Sequence, residues 1–201
     1  TGKVMTMAAA LEEKVVTPTT VLSVPYKLKR AGEDFHDHEP NPVQQLTTSG
    51  ILAVSSNTGT ILIGEKLSNE TLHDYLTKFG IGLKTGSGLP GESAGLLRPV
   101  SDWSGTTAPT VAFGQGYSVT AMQATSVFAT IANNGVRVSP TVIAGTSDAS
   151  GHFTPAANRT TTRVISEDTA VKLRIMMESV VTANGTAPSA AIPGYRVAGK
   201  T

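Results

Sequence analysis

The feature of this 201-residue sequence that most constrains its fold is a block of helical patterns in the middle of the chain, with strand patterns toward both ends. Residues 69–79 bring their large apolar side chains to one helical face, and Gly80 ends that pattern. Residues 119–134 form the clearest helical pattern, with small side chains on one face and bulky ones on another. Helices combined with short alternating strands predict a mixed α/β (α+β) fold.

The remaining segments are shorter and fit the same mixed fold. We predict further helices and strands, the helices over residues 6–16, 46–54 and 166–181 and the strands over residues 21–27, 136–143 and 195–200. Ala31-Gly32 is typical of a hairpin turn, and we predict a surface loop or hairpin over residues 145–162. We also predict loops over residues 35–42 and 82–95, because these segments are polar or rich in proline or glycine.

The composition excludes several functional classes. Apolar residues make up 39 % and charged residues 15 %, so the chain can bury a core and does not have a disordered composition. A net charge of +1 argues against nucleic-acid binding, and the basic cluster at residues 27–30 is interpreted as a solvated hairpin edge. The absence of cysteine excludes disulfides, thiol catalysis and cysteine–zinc sites. We expect no metal and no cofactor.

Three short motifs occur in an informative order. They are, along the chain, Thr1-Gly2-Lys3, Ser55-Ser56-Asn57 and Gly199-Lys200-Thr201. Penicillin-recognising serine enzymes carry Ser-x-x-Lys, Ser-x-Asn and Lys-Thr-Gly in the same order. Each motif alone is weak, and the order and the surrounding sequence give the set its weight.

The chemistry of such a set explains the residue types. In Ser-x-x-Lys the serine would lie one helical turn before Lys3, and a partly desolvated lysine near other positive charge can take the serine proton. Ser55 would relay that proton to the leaving amine, and the amide of Asn57 would bind a peptide bond as donor and acceptor. Lys200 and Thr201 would bind a terminal carboxylate through a charge and a hydroxyl.

Longer segments carry a family resemblance. The segment LTTSGILAVSSNTGT around Ser55 and the segment FGQGYSVTAMQATSVFATIANNG at residues 113–135 resemble class B penicillin-binding proteins of the cell-division type. MMESVV at residues 176–181 and AAIPGYRVAGKT at the end of the sequence resemble the approach to the third motif of that family. The match spans nearly the whole chain and keeps the family's order.

The resemblance implies a fold and an activity. The expected fold is that of penicillin-binding transpeptidases and serine β-lactamases, a helix-covered antiparallel sheet plus an all-helical portion that carries Ser55 and Asn57. The expected activity is peptidoglycan D,D-transpeptidation through a serine acyl-enzyme. Residues 1–201 are then expected to be one transpeptidase domain lacking both ends, from just after the nucleophilic serine to the Lys-Thr of the third motif. By itself this segment is expected to be inactive and poorly stable.

The resemblance also implies partners and a location. The expected ligands are peptidoglycan stem peptides and β-lactams, and the expected partners are membrane proteins of the division or elongation machinery. The expected location is the extracytoplasmic face of the bacterial plasma membrane, with an anchoring helix outside residues 1–201.

Two alternative functions remain open at this level. A penicillin-binding sensor or noncatalytic scaffold would keep the fold without acyl transfer, and a serine β-lactamase would hydrolyse penicillin quickly. Ser56 stands where many class A β-lactamases have aspartate, and no clear Glu-x-x-x-Asn motif is found. Both departures favour a transpeptidase over a β-lactamase.

Several other patterns are interpreted as structural. Lys84-Thr85-Gly86 follows Ser55 closely and lacks strand character, so it is not assigned as the third motif. The residues 36–39 (His-Asp-His-Glu) lie in a polar loop without further metal ligands nearby. His73 is expected on an exposed helix face and Trp103 in a packing role.

Overall fold

The computed structural model describes residues 1–156 and 159–201. Over these residues the chain forms seven α-helices, namely α1 (Gly2–Glu12), α2 (Thr48–Ala53), α3 (Asn57–Gly64), α4 (Asn69–Lys78), α5 (Thr107–Phe113), α6 (Ala121–Ala132) and α7 (Glu167–Glu178). It also forms eight strands, namely β1 (Val21–Val24), β2 (Lys27–Arg30), β3 (Glu33–His36), β4 (Gln44–Thr47), β5 (Val136–Val138), β6 (Gly145–Ser147), β7 (Phe153–Pro155) and β8 (Thr161–Arg163). The predicted mixed fold is confirmed.

Helix α1 runs through the centre of the core. Its side chains from Val4 to Leu11 are buried, and it packs against α2, α3, α4, α5 and α7. Many of these side chains are alanine or methionine, so neighbouring helices can approach closely. The helix begins at Gly2, four residues before the predicted start, because the Thr1 carbonyl accepts the amides of Val4 and Met5 at 3.2 and 3.4 Å. It ends before Lys14, whose φ is +57°.

The strands are paired in four separate antiparallel ladders within the described residues. Strand β1 pairs with β4, β2 with β3, β5 with β8, and β6 with β7. The β2–β3 hairpin turns at Ala31 and Gly32, where φ is +47° and +86°, as predicted for this turn. The β6–β7 pair confirms a hairpin between residues 145 and 162, although residues 157 and 158 lie outside the described part of the chain.

Several predicted segments differ from the structure because strand pairing is not a local property. Residues 44–47 pair with β1, so the predicted helix over residues 46–54 begins only at Thr48. The strand predicted over residues 136–143 ends at Val138, close to Pro140. Residues 195–200 form no strand, since no strand in the described ranges pairs with them.

Side-chain caps define the helix starts that sequence patterns indicate. Ser68 caps α4, and Ser166 caps α7 by accepting the Thr169 amide at 3.2 Å. Thr120 and Gln123 form a capping box at the start of α6. Within the described ranges, no helix has the length and apolar character needed to cross a membrane.

Candidate active site

Helix α1 brings Lys3 to the turn between α2 and α3. The Lys3 Nζ donates to the Ser55 carbonyl oxygen at 2.5 Å and lies 3.0 Å from the Ser55 Oγ. Both side chains are half-buried. The structure therefore joins two predicted site residues that are 52 positions apart in the sequence.

The backbone of Ser55 is in the left-handed region, with φ at +60°. This conformation is rare for residues other than glycine, asparagine and aspartate, and it is often found at functional sites. The Ser55 amide donates to the Leu52 carbonyl at 3.2 Å, which closes the end of α2. The sharp turn leaves both Ser55 oxygens directed at Lys3.

Ser56 and Asn57 begin helix α3. The Ser56 Oγ accepts the Gly59 amide at 2.8 Å and so caps the helix. The Asn57 Nδ2 donates to the His36 carbonyl at 3.0 Å, which fixes the side-chain amide at the mouth of the cleft. Asn57 thus lines the same cavity as Ser55 and Lys3.

Asp37 is a site neighbour that sequence reasoning missed. Its side chain accepts hydrogen bonds from Ser56, Asn57 and Thr58, and the residue is only 9 % exposed. In the sequence it belongs to the polar segment interpreted as a solvated loop, and no local signal distinguishes it from its neighbours. Within the described ranges, no group of three or more His, Asp or Glu residues is arranged to hold a metal ion.

The third motif is linked to this cleft through Thr186, which lines it, although Lys200 and Thr201 do not line it themselves. The Thr201 hydroxyl lies 2.8 Å from the Thr186 hydroxyl, and the Thr186 amide donates to the Ala53 carbonyl at 3.2 Å at the end of α2. The Lys200 Nζ donates to the Thr201 Oγ1 at 2.9 Å. These contacts bring Lys200 and Thr201 toward Lys3.

The electrostatics of the cleft centre on Lys3. Burial and the positive charge of Lys200 lower the pKa of Lys3 to about 8, and the negative charge of Asp37 opposes this shift. Burial also lowers the pKa of Lys200. A fraction of Lys3 is therefore neutral near physiological pH, which a proton acceptor requires.

A cavity of about 540 Å³ lies over these groups. Lys3, Asp37, Ser55, Asn57 and Thr186 line it. A second cavity, of about 630 Å³, lies at the other end of α1 beside Glu12, and none of the predicted site residues lines it. The smaller cavity is the candidate site, because three of the predicted site residues, Lys3, Ser55 and Asn57, line it.

The structure supports the structural interpretation of Lys84-Thr85-Gly86. Glu92 accepts hydrogen bonds from the Thr85 amide at 2.5 Å, from the Thr85 hydroxyl and from the Gly86 amide at 3.2 Å. The segment is a loop closed by its own carboxylate and is not part of a strand.

The predicted environments of His73 and Trp103 can be compared with the structure. His73 is half-buried, with its ring 6.1 Å from the ring of Trp103, so it is less exposed than expected. Trp103 packs against the core, in agreement with its predicted role.

Comparisons with known proteins are consistent with this geometry. The family model for the penicillin-binding protein transpeptidase domain matches residues 1–201. The penicillin-binding protein PbpB of Mycobacterium tuberculosis is 40 % identical over 206 residues, which cover 100 % of this chain and 30 % of PbpB. The peptidoglycan D,D-transpeptidase FtsI of Escherichia coli K12 is 33 % identical over 205 residues, which cover 100 % of this chain and 32 % of FtsI.

A solved structure agrees closely as well. The crystal structure of penicillin-binding protein 3 from Mycobacterium tuberculosis, complexed with aztreonam, matches with a TM-score of 0.95 at 39 % identity. The match covers 99 % of this chain and 46 % of that chain. The chain thus spans 30 and 32 % of the length of the two curated relatives described above.

Proposed function

Because the chain belongs to the transpeptidase family of class B penicillin-binding proteins, we propose that it supplies the catalytic cleft of a peptidoglycan D,D-transpeptidase. The substrates are stem peptides that end in D-Ala-D-Ala, and β-lactams acylate the same serine. The observation that carries the proposal is the 3.0 Å contact between Lys3 Nζ and Ser55 Oγ in a cleft that also holds Asn57.

The proposed acylation step uses each group once. A serine one residue before Thr1, as the Ser-x-x-Lys pattern implies, attacks the carbonyl between the two D-alanines. Neutral Lys3 takes the proton from the serine hydroxyl, and Ser55 passes a proton to the departing nitrogen. The C–N bond breaks, D-alanine leaves, and an ester to the serine remains. An amine of a neighbouring stem peptide then takes the acyl group and restores the serine.

The remaining groups bind the substrate. The Asn57 amide is placed to bind a peptide bond as donor and acceptor. Lys200 and Thr201 supply a charge and a hydroxyl for the terminal carboxylate. In this proposal residues 1–201 are one transpeptidase domain that runs between the first and third motifs.

Location and partners follow from the same proposal. Peptidoglycan is cross-linked outside the cytoplasm, so the domain works at the extracytoplasmic face of the plasma membrane in a membrane-anchored protein. Membrane proteins of the division or elongation machinery are its proposed partners.

Covalent labelling by a fluorescent penicillin tests the function in the full-length protein. We expect stoichiometric labelling, slow release of the label, and transfer of a stem-peptide acyl group to an acceptor amine. Labelling without transfer would indicate a sensor, rapid release a β-lactamase, and no labelling a noncatalytic scaffold. Each of these three results would contradict the proposal.

The assignment of the lysines has its own test. We expect Lys3→Ala to reduce the labelling rate by about 100-fold or more, because the proton acceptor is lost. Lys84→Ala is the matched control and should label at the wild-type rate, since Lys84 lies in a loop closed by Glu92. A result in which Lys84→Ala abolishes labelling and Lys200→Ala has no effect would show that the third motif is assigned wrongly.

A further inference from the structure

We propose that Asp37 is a positioning residue of this site: its buried carboxylate holds the Ser55-Ser56-Asn57 turn in place and opposes the positive charge of Lys200 at Lys3. The proposal rests on the proposed transpeptidase function. Asp37 lies directly after strand β3, in a polar segment to which the sequence assigns no role.

The carboxylate of Asp37 is saturated by donors from one short segment. Its Oδ1 accepts the amides of Asn57 and Thr58 at 2.5 and 3.0 Å. Its Oδ2 accepts the hydroxyls of Ser56 and Thr58 at 2.8 and 3.3 Å. Three consecutive residues at the start of α3 therefore converge on one side chain, where the helix dipole also favours a negative charge.

The backbone around Asp37 is tied to the same turn. The Asp37 amide donates to the Tyr26 carbonyl at 3.0 Å, which anchors the segment to the β2–β3 hairpin. The His36 carbonyl accepts the Asn57 Nδ2 at 3.0 Å. Since the turn and the hairpin are held by contacts in both directions, a shift of Asp37 would move Asn57 and, two residues before it, Ser55.

Asp37 and Lys3 line the same cavity, so the charge of Asp37 also acts on Lys3. Among the described side chains that face Lys3, Lys200 lowers its pKa and Asp37 raises it, while burial has the largest effect and lowers it. The other titratable side chains of the cleft, His38 and Glu39, are highly exposed and lie 3.6 Å from each other. Solvent screens exposed charges of this kind, so Asp37 is the negative charge that matters most at Lys3.

The Asp37→Asn variant separates charge from hydrogen bonding. Its amide oxygen can accept the two backbone amides, and its NH₂ group can donate to the two hydroxyls, which both accept and donate. We expect the full-length variant to unfold within about 3 °C of the wild type. The acidic limb of its penicillin-labelling profile should move to lower pH by about half a unit or more, because the charge that favours protonated Lys3 is gone. An unchanged limb would overturn the charge role.

The Asp37→Glu variant tests positioning. It keeps the charge, but its extra methylene prevents the carboxylate from meeting all the donors, so labelling should slow by about tenfold or more while the limb stays in place. Wild-type labelling by this variant would overturn the positioning role. Loss of a cooperative melt in Asp37→Asn would overturn the claim that its amide replaces the carboxylate, and Asp37→Glu would then decide the positioning role alone.

Asp34→Asn is the matched control. It removes the same charge from the same hairpin, where Asp34 is exposed and pairs with Lys27 at 2.7 Å. Its labelling rate and pH profile should equal those of the wild type, and a shifted limb would mean that Asp37→Asn reports only the net charge of the protein. Failure of the wild-type protein to label would contradict the proposed function itself, whereas failure confined to the Asp37 comparisons would contradict only this inference.

Discussion

At the scale of single residues, the tertiary structure changes the protonation of Lys3. A free lysine has a pKa near 10.4 and would be almost fully charged at neutral pH. Burial and Lys200 bring the pKa of Lys3 to about 8, and Asp37 limits the change. The residue can thus act as a proton acceptor because folding buries it and brings Lys200 near it, although Asp37 opposes the change.

The first prediction concerns the pH dependence of acylation. The second-order rate of penicillin labelling reports the free enzyme, and it requires Lys3 in its neutral form. The rate should therefore rise with pH and reach half its maximum near pH 8. Stopped-flow labelling between pH 6 and 10, corrected for spontaneous β-lactam hydrolysis, measures this rise of the rate with pH. A rate that is constant between pH 6 and 9 would contradict a titrating Lys3.

The second prediction concerns the hydroxyl of Ser55. Ser55→Ala removes the Oγ that lies 3.0 Å from Lys3 Nζ but leaves the carbonyl contact at 2.5 Å. The variant should keep its fold while labelling falls by about 100-fold, the size expected for a lost proton-transfer group. Ser49→Ala is a suitable comparison, since the Ser49 hydroxyl donates to the Pro18 carbonyl. Equal labelling by the two variants would remove Ser55 from the proton path.

At the scale of elements, the packing of the start of α1 decides where Lys3 lies. Gly2 is buried against the loop that follows α5, where Gly114 has a φ of +102°. A Cβ on Gly2 would come within 2.7 Å of the Tyr117 hydroxyl and even nearer to the Gly114 Cα. Because a backbone atom cannot yield as a flexible side chain can, the close approach requires glycine at position 2.

The third prediction follows from this contact. Gly2→Ala should lower the free energy of unfolding by about 1–3 kcal/mol through overpacking and should slow labelling by displacing Lys3. Gly50→Ala is the matched control within α2, since a Cβ there would lie 3.3 Å from the Thr47 Oγ1 and no nearer than 3.7 Å to the Leu46 side chain, and alanine favours a helix. Urea unfolding of both variants gives the comparison. A Gly2→Ala protein as stable and active as Gly50→Ala would refute the packing argument.

At the scale of the whole molecule, α1 connects the cleft to the far side of the core. Lys3 lies in the cleft at its first turn, and Glu12 lies in its last turn beside the start of α7. The Glu12 carboxylate accepts the Ser166 amide at 3.0 Å and the Ser166 hydroxyl at 2.8 Å. Helices that are distant in sequence are thus joined at both ends of α1.

The fourth prediction concerns this far contact. Burial alone would raise the pKa of Glu12, but hydrogen bonds with Thr169 and Ser166 outweigh it and lower the pKa. The resulting stabilisation is present above the ordinary glutamate pKa of about 4.3 and is lost as pH falls through the lower folded value. Glu12→Gln should therefore be less stable than the wild type by about 1 kcal/mol at pH 7, a modest figure because Glu12 is only partly buried.

The measurement is urea unfolding of both proteins between pH 7 and pH 3. The difference between their free energies of unfolding should shrink as the pH falls, because protonation of Glu12 removes the same charge from the wild type. Glu13→Gln serves as the neighbouring control. In the wild type, the Glu13 carboxylate accepts the Tyr75 hydroxyl at 2.7 Å. A constant difference across this range would exclude a contribution from the charge of Glu12.

The sequence by itself determined the family, the three motifs and five of the seven described helices, whereas α3 and α5 were not predicted. Periodic apolar positions and capping residues such as Ser68 and Ser166 are local signals, so the helices that they start were predicted from nearby residues alone. The order of the motifs is a property of the linear sequence. Lys3 and Ser55 were therefore predicted as site residues although the distance between them was not known.

Only the tertiary structure decided strand pairing, the role proposed for Asp37 and the charge state of Lys3. Strand β4 and the lack of a strand at residues 195–200 depend on which segments lie alongside, and no local pattern encodes that. The donors to Asp37 come from residues 19 to 21 positions away, and the contact between Lys3 and Ser55 spans 52 positions. The physical reason is that hydrogen bonding, burial and Coulomb interactions depend on distance in space, which the chain acquires only by folding.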